Sequence, residues 1–149
     1  MVEIRRITHL TAAALRPLLE ASLEEGYAFI ETLWEEYVSG VNPFITPGGV
    51  LLGGYEGEAL VAVGGVHVDP YEEAPAVGRV RHVYVLPELR RQQIGRRLVS
   101  ALIDHAAGHF ATLTLRTPTA HGDAFYKSLG FTDAPRFVHA THWLDLRRG

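Results

Sequence analysis

Val83-Tyr84-Val85-Leu86-Pro87-Glu88-Leu89-Arg90-Arg91-Gln92-Gln93-Ile94-Gly95-Arg96-Arg97-Leu98 decides the fold. Its first residues are the end of a strand, and Pro87 bounds the run. From Ile94 the apolar positions Ile94, Leu98, Val99, Leu102, Ile103 and Ala106 recur at helical spacing, so one face of a helix is apolar. A strand that passes through a short basic loop into a helix aims unpaired N–H groups, and the positive end of the helix dipole, at one point. That is a site for a pyrophosphate, and Arg90, Arg91, Arg96 and Arg97 add charged partners for phosphate oxygens. It is neither a Walker A loop nor a dinucleotide-binding fingerprint, which need more glycines. On spacing alone, an ordinary turn with a solvated basic face fits equally well.

Working outward, Arg79 to Val85 reads as the full strand. Before it, Val50–Tyr55 and Ala59–Val68 form two strands joined at Glu56-Gly57-Glu58, and Asp69–Ala76 is a polar loop. Val2–Arg6 alternates like a short strand. Thr11 fits the cap of a helix to about Glu25, which Pro17 either interrupts or opens. Phe29, Ile30, Leu33, Trp34 and Tyr37 are helically spaced, so a second helix ends before Gly40. After the central helix come a strand at Ala111–Leu115 and a helix at His121–Leu129 stopped by Gly130. One or two final strands lie around Phe137–Ala140 and His142–Leu146. This order describes an α/β or α+β domain with a mixed sheet.

Composition narrows the function. The 149 residues, 47% of them hydrophobic, are enough for one core, so residues 1–149 are expected to form a single domain. With 14 basic and 17 acidic residues the net charge is −3, which argues against a nucleic-acid-binding domain. There is no cysteine, so disulfides, thiolate metal sites and cysteine nucleophiles are excluded. Met1–Arg6 lacks the apolar core of a secretory signal, and no apolar stretch is long enough to span a bilayer. A cytoplasmic protein without membrane partners is expected. His139, His142 and Trp143 lie close together, but without a tight carboxylate–histidine motif no metal site is expected.

Two motifs carry a family resemblance. Val83–Leu98 resembles motif A of the GNAT N-acetyltransferases, whose loop reads Q/R-x-x-G-x-G/A. Arg90 takes its first position, Gly95 its last, and Gln93 stands where the family usually has its first glycine. Ala124-Phe125-Tyr126-Lys127-Ser128-Leu129-Gly130-Phe131 resembles motif B, a helix bearing a tyrosine and ending in Gly-Phe. The resemblance implies a mixed, mostly antiparallel sheet of about six or seven strands, flanked by about four helices, with a splayed central strand pair. It also implies acetyl-coenzyme A (acetyl-CoA) as co-substrate and an amine of a small molecule or peptide as acceptor. Val83 and Val85 would bond the pantetheine arm through their backbone. The amides of Arg91, Gln92, Gln93, Ile94, Gly95 and Arg96 would hold the pyrophosphate, and Thr119 stands where many members have an asparagine near the cofactor. Tyr126 matches the proton donor to the departing thiolate, the alternative being a core aromatic.

A general base is not evident. Many relatives carry a glutamate near positions 79 or 81, yet both are arginine here. By strand alternation Arg79 and Arg81 share one face and His82 takes the other. A base would come from His67, Glu72, Glu73 or a water chain. The arginines would either bind an anionic acceptor or pair with acidic residues of the second helix, such as Glu31 or Glu35. Trp34, on the helix that borders the family's acceptor site, is a candidate pocket wall or a core residue. A non-catalytic acyl-CoA sensor and a nucleotide-binding protein remain as alternative functions. Monomer and homodimer are both open, the strand at His142–Leu146 offering an edge for pairing.

Overall fold

A computed structural model describes residues 1–146 of the chain. Its elements run β1 (Val2–Arg6), α1 (Ala12–Glu24), α2 (Phe29–Ser39), β2 (Val50–Glu56), β3 (Ala59–Val68), β4 (Val77–Val85), a 3₁₀ turn (Pro87–Leu89), α3 (Ile94–Ala107), β5 (Thr112–Leu115), α4 (Ala120–Ser128) and β6 (His142–Asp145). The six strands form one sheet in the order β1-β2-β3-β4-β5-β6. Every pair is antiparallel except β4–β5.

Local chemistry accounts for the boundaries. The Thr11 side chain accepts from the Ala14 amide and caps α1. Pro17 lies inside α1 without breaking it, close enough to the N-terminus that one lost amide bond is tolerated. α2 ends at Gly40, whose φ of +82° is the left-handed conformation that glycine adopts freely. Of the one or two final strands expected, only that at His142–Asp145 forms, and none forms at 137–140. Trp143 instead bridges Thr132 and its indole donates to the Ala134 carbonyl at 2.9 Å, so 133–141 closes as a loop.

The core lies on both faces of the sheet. Leu98 and Leu102 of α3 pack over Gly64 on one face, where a Cβ would come within 3.2 Å of Leu102. On the other face Leu15, Leu18, Ile30 and Leu33 of α1 and α2 are buried against β3 and β4. Each such burial contributes about 1.5–3 kcal/mol.

Two irregularities of β4 position the site. It pairs with β5 only at Val77, Gly78 and Arg79, after which the two strands part and leave an opening beside residues 80–85. Against β3, Val63 pairs with Tyr84 and Gly65 with Arg81, so His82 and Val83 together face Gly64. This is a β-bulge, and His82 takes a φ of +60° at its centre.

Candidate active site

The bulge overturns the strand alternation expected for His82. Phe44 packs on Gly65, on the α1/α2 face, and its ring lies 5.5 Å from that of His67 and 6.2 Å from that of His82. Arg81 reaches Glu36 of α2 at 3.6 Å on the same face. His82 therefore shares the face of Arg81 instead of opposing it, because the inserted residue resets the pleat.

Both arginines lie beside carboxylates of the chain. Arg79 is 6% exposed, with Nη1 3.6 Å from the Asp69 carboxylate and Nη2 donating to the His139 carbonyl at 3.0 Å. Tyr71 covers its guanidinium at 4.8 Å and stacks on His139. Asp69 also accepts from the Thr114 hydroxyl and the Tyr71 amide. Arg79 is thus a strut joining the β3–β4 loop, β5 and the 133–141 loop. Arg81 pairs with α2 as one alternative held, although through Glu36 and not Glu31 or Glu35.

Both histidines are held neutral. Burial, and then the nearby charge of Arg81, push His67 down to about 4 and His82 down to about 3. Their folded values lie below the ordinary histidine value, so the unfolded chain binds the extra protons. Their stabilising effect is complete above about pH 6.5 and is lost as pH falls toward 4 and 3. Urea melts between pH 7 and pH 5 should show unfolding free energy falling by about 2 kcal/mol per histidine, with His67→Gln flattening the slope.

At the mouth of the opening, α3 starts without a side-chain cap. The Arg97 amide bonds the Gln93 carbonyl at 3.0 Å, and the amides of Ile94, Gly95 and Arg96 before it meet no acceptor among the described residues. Arg91 and Gln93 have φ of +68° and +65°, the left-handed region that costs a side chain about 1–2 kcal/mol. Gln93 therefore carries backbone strain that a glycine at this position would avoid. Gln93→Gly should raise unfolding free energy by about 0.5–1 kcal/mol in thermal melts.

The basic side chains of this loop divide. Arg90 turns away from the amides, forming two 2.8 Å bonds to Glu25 and donating to the Val85 carbonyl at 3.1 Å. That carbonyl, one of the groups expected to pair with pantetheine, is thus already occupied. Glu25 also accepts from the Tyr84 hydroxyl, and Arg90 holds its carboxyl below the usual range. Arg96 is tied to Ser128 of α4 at 3.0 Å and Arg97 to the Val2 carbonyl at 2.8 Å. Arg91 has no partner among the described residues and Gln92 is exposed, while Val83 is half-buried beside Gly64.

After β5, Tyr126 is half-buried on α4 between Phe125 at 4.9 Å and Phe131 at 5.7 Å, both edge-on. Burial raises its phenol above the ordinary value, so it stays protonated at neutral pH. Among the described residues no atom accepts from its hydroxyl. Below it, His142 bonds Asp123 at 2.8 Å and Lys127 bridges Asp123 and Asp133, anchoring α4 to β6. The Thr119 hydroxyl accepts from the Gly122 amide at 3.0 Å as the cap of α4. Trp34 is not brought to this site. It stacks on Tyr37 and faces Ala12, Leu15 and Leu19 of α1. Among the described residues no group of three or more His, Asp or Glu is placed to hold a metal, and no helix is long and apolar enough to cross a membrane.

A splayed strand pair that runs on into an uncapped helix is the frame that the sequence resemblance implies for an acyltransferase. Residues 51–133 match the family model of the acetyltransferase (GNAT) domain, and the chain belongs to that family. Among solved structures it is similar to a protein from Exiguobacterium sp. 255-15 assigned as an acetyltransferase, at 29% identity and a TM-score of 0.86, covering 97% of this chain and 93% of that one. The fold is shared with YncA of Salmonella typhimurium, solved with acetyl-CoA (18% identity, TM-score 0.70, 99% and 95% covered). It is shared also with the PaiA N-acetyltransferase of Thermoplasma acidophilum, solved with coenzyme A (18% identity, TM-score 0.67, 97% and 99% covered). No match to the chain is found among curated proteins.

Proposed function

We propose that the chain transfers an acetyl group from acetyl-CoA to an amine of a small molecule or peptide by direct attack on the thioester. The observation that carries this reading is the trio of unpartnered amides at Ile94, Gly95 and Arg96, set where β4 parts from β5. Those amides and the dipole of α3 suit a pyrophosphate, and Arg91 is free to join them. The opening beside residues 80–85 offers β4 backbone to a pantetheine arm. At the bulge one residue of β4 lacks a ladder partner, which leaves a polar backbone group for the thioester carbonyl. Tyr126 supplies the proton to the departing thiolate. Because both strand arginines face carboxylates of the chain, the acceptor needs no anionic group.

The experiment is release of coenzyme A thiol from acetyl-CoA with glycinamide, spermidine and a short peptide bearing a free amino terminus, products being read by mass spectrometry. Acetylated amine appearing with the thiol supports transfer. Cofactor binding without turnover of any amine would favour an acyl-CoA sensor.

A further inference from the structure

We propose that Asp123 and Asp133 protect Lys127, the chain's one side-chain amine, from acylation by the acyl thioester that the protein uses. The identity of that thioester as acetyl-CoA rests on the function proposed above. Of the 14 lysine and arginine residues, Lys127 alone is a lysine. A thioester acylates only a neutral amine, and a guanidinium keeps its proton in a protein, so the arginines are inert to it. The single lysine directly follows Tyr126 on α4, the residue assigned above to the departing sulfur.

Its Nζ lies 3.2 Å from the Asp123 carboxylate, one turn earlier on α4, and 2.9 Å from that of Asp133, beyond Gly130. The side chain is 44% exposed, so burial does not keep a reagent from it. Charge does. An exposed ion pair is weak alone, but here two act on one nitrogen, and both favour its charged form. Asp133 and then Asp123 hold the ammonium above the ordinary lysine range. His142 of β6 bonds the other oxygen of Asp123 at 2.8 Å and fixes that carboxylate in place. No other charged side chain among the described residues pairs with Lys127.

The step that this clasp holds back balances. The lysine lone pair would form an N–C bond at the thioester carbon, the C–S bond would break, and the departing thiolate would take the proton that the nitrogen gives up. The amide left behind carries no charge. Asp123 and Asp133 would then lose their shared counter-ion on the helix that bears Tyr126 and the loop that follows it.

The test measures acetylation rates site by site, by peptide mass spectrometry, with acetyl-CoA and with a small acetyl thioester that lacks the nucleotide. Arg16→Lys supplies an internal reference, because Arg16 is exposed on α1 and forms no ion pair among the described residues. With either donor, Lys127 should acetylate at least about threefold more slowly than the lysine put at position 16. Asp123→Asn with Asp133→Asn keeps the shapes and removes both charges, and should bring the two rates within about twofold of each other. Asp133→Asn alone, which leaves the bond of Asp123 to His142 intact, should raise the Lys127 rate part of the way. Equal rates at the two lysines in the Arg16→Lys protein would overturn the proposal. So would a Lys127 rate that neither set of asparagines changes. If the protein binds no coenzyme A, the transferase reading fails separately, and the small thioester still decides whether the two carboxylates protect the amine.

Discussion

Tyr126→Phe should lower kcat about 100- to 1,000-fold while coenzyme A affinity changes less than about threefold, as expected for loss of a positioned proton donor. The variant removes one oxygen and leaves both edge-on ring contacts, to Phe125 and Phe131, so its fold should survive. Because that hydroxyl bonds no atom among the described residues, no structural partner there is lost with it. Stopped-flow thiol release, paired with calorimetry of coenzyme A binding, separates the two effects. Unchanged turnover would return Tyr126 to the reading of a packing aromatic.

Asp69→Ala should destabilise the protein by about 3–5 kcal/mol, measured by urea unfolding. The carboxylate is 2% exposed and serves Arg79, the Thr114 hydroxyl and the Tyr71 amide together. Its removal leaves the buried guanidinium of Arg79 without a counter-charge, which costs far more than loss of an exposed ion pair. Adding Arg79→Met should recover part of the loss, because the double variant buries no unpaired charge. Full additivity of the two changes would contradict the strut assigned to Arg79.

Those two sites differ in how far the sequence discloses them. Tyr126 sits in a local pattern, a short amphipathic run closed by Gly130 at a φ of +101°, which the chain spells out within a few residues. The passage from β4 to α3 is similarly local, since Pro87 ends the strand and the apolar spacing from Ile94 declares the helix. Arg79 and Arg81 are different. Their partners come from the β3–β4 loop and α2, and the His139 carbonyl is 60 residues distant from Arg79 in the chain. Arg90 shows the same limit, because its basic character suits a phosphate yet its forked bonds go to Glu25, 65 residues earlier.

His82 was hidden for another reason. Period-two alternation assumes an unbroken pleat, and the extra residue opposite Gly64 breaks it without a glycine or proline to mark the place. A histidine at positive φ is the sole local trace, and it becomes visible only with the backbone traced. The absent strand at 137–140 has a similar origin, since Trp143 selects Thr132 as its partner and leaves those residues in the loop.

The central claim is that the uncapped start of α3 and the gap between β4 and β5 form one site for acyl-CoA. Calorimetric titration with coenzyme A, ATP and pantetheine tests it most directly. Coenzyme A is predicted to bind at least about tenfold more tightly than either of the others, since it alone fills both halves of the site. Equal affinity for ATP and coenzyme A, or no heat with coenzyme A, would contradict the account.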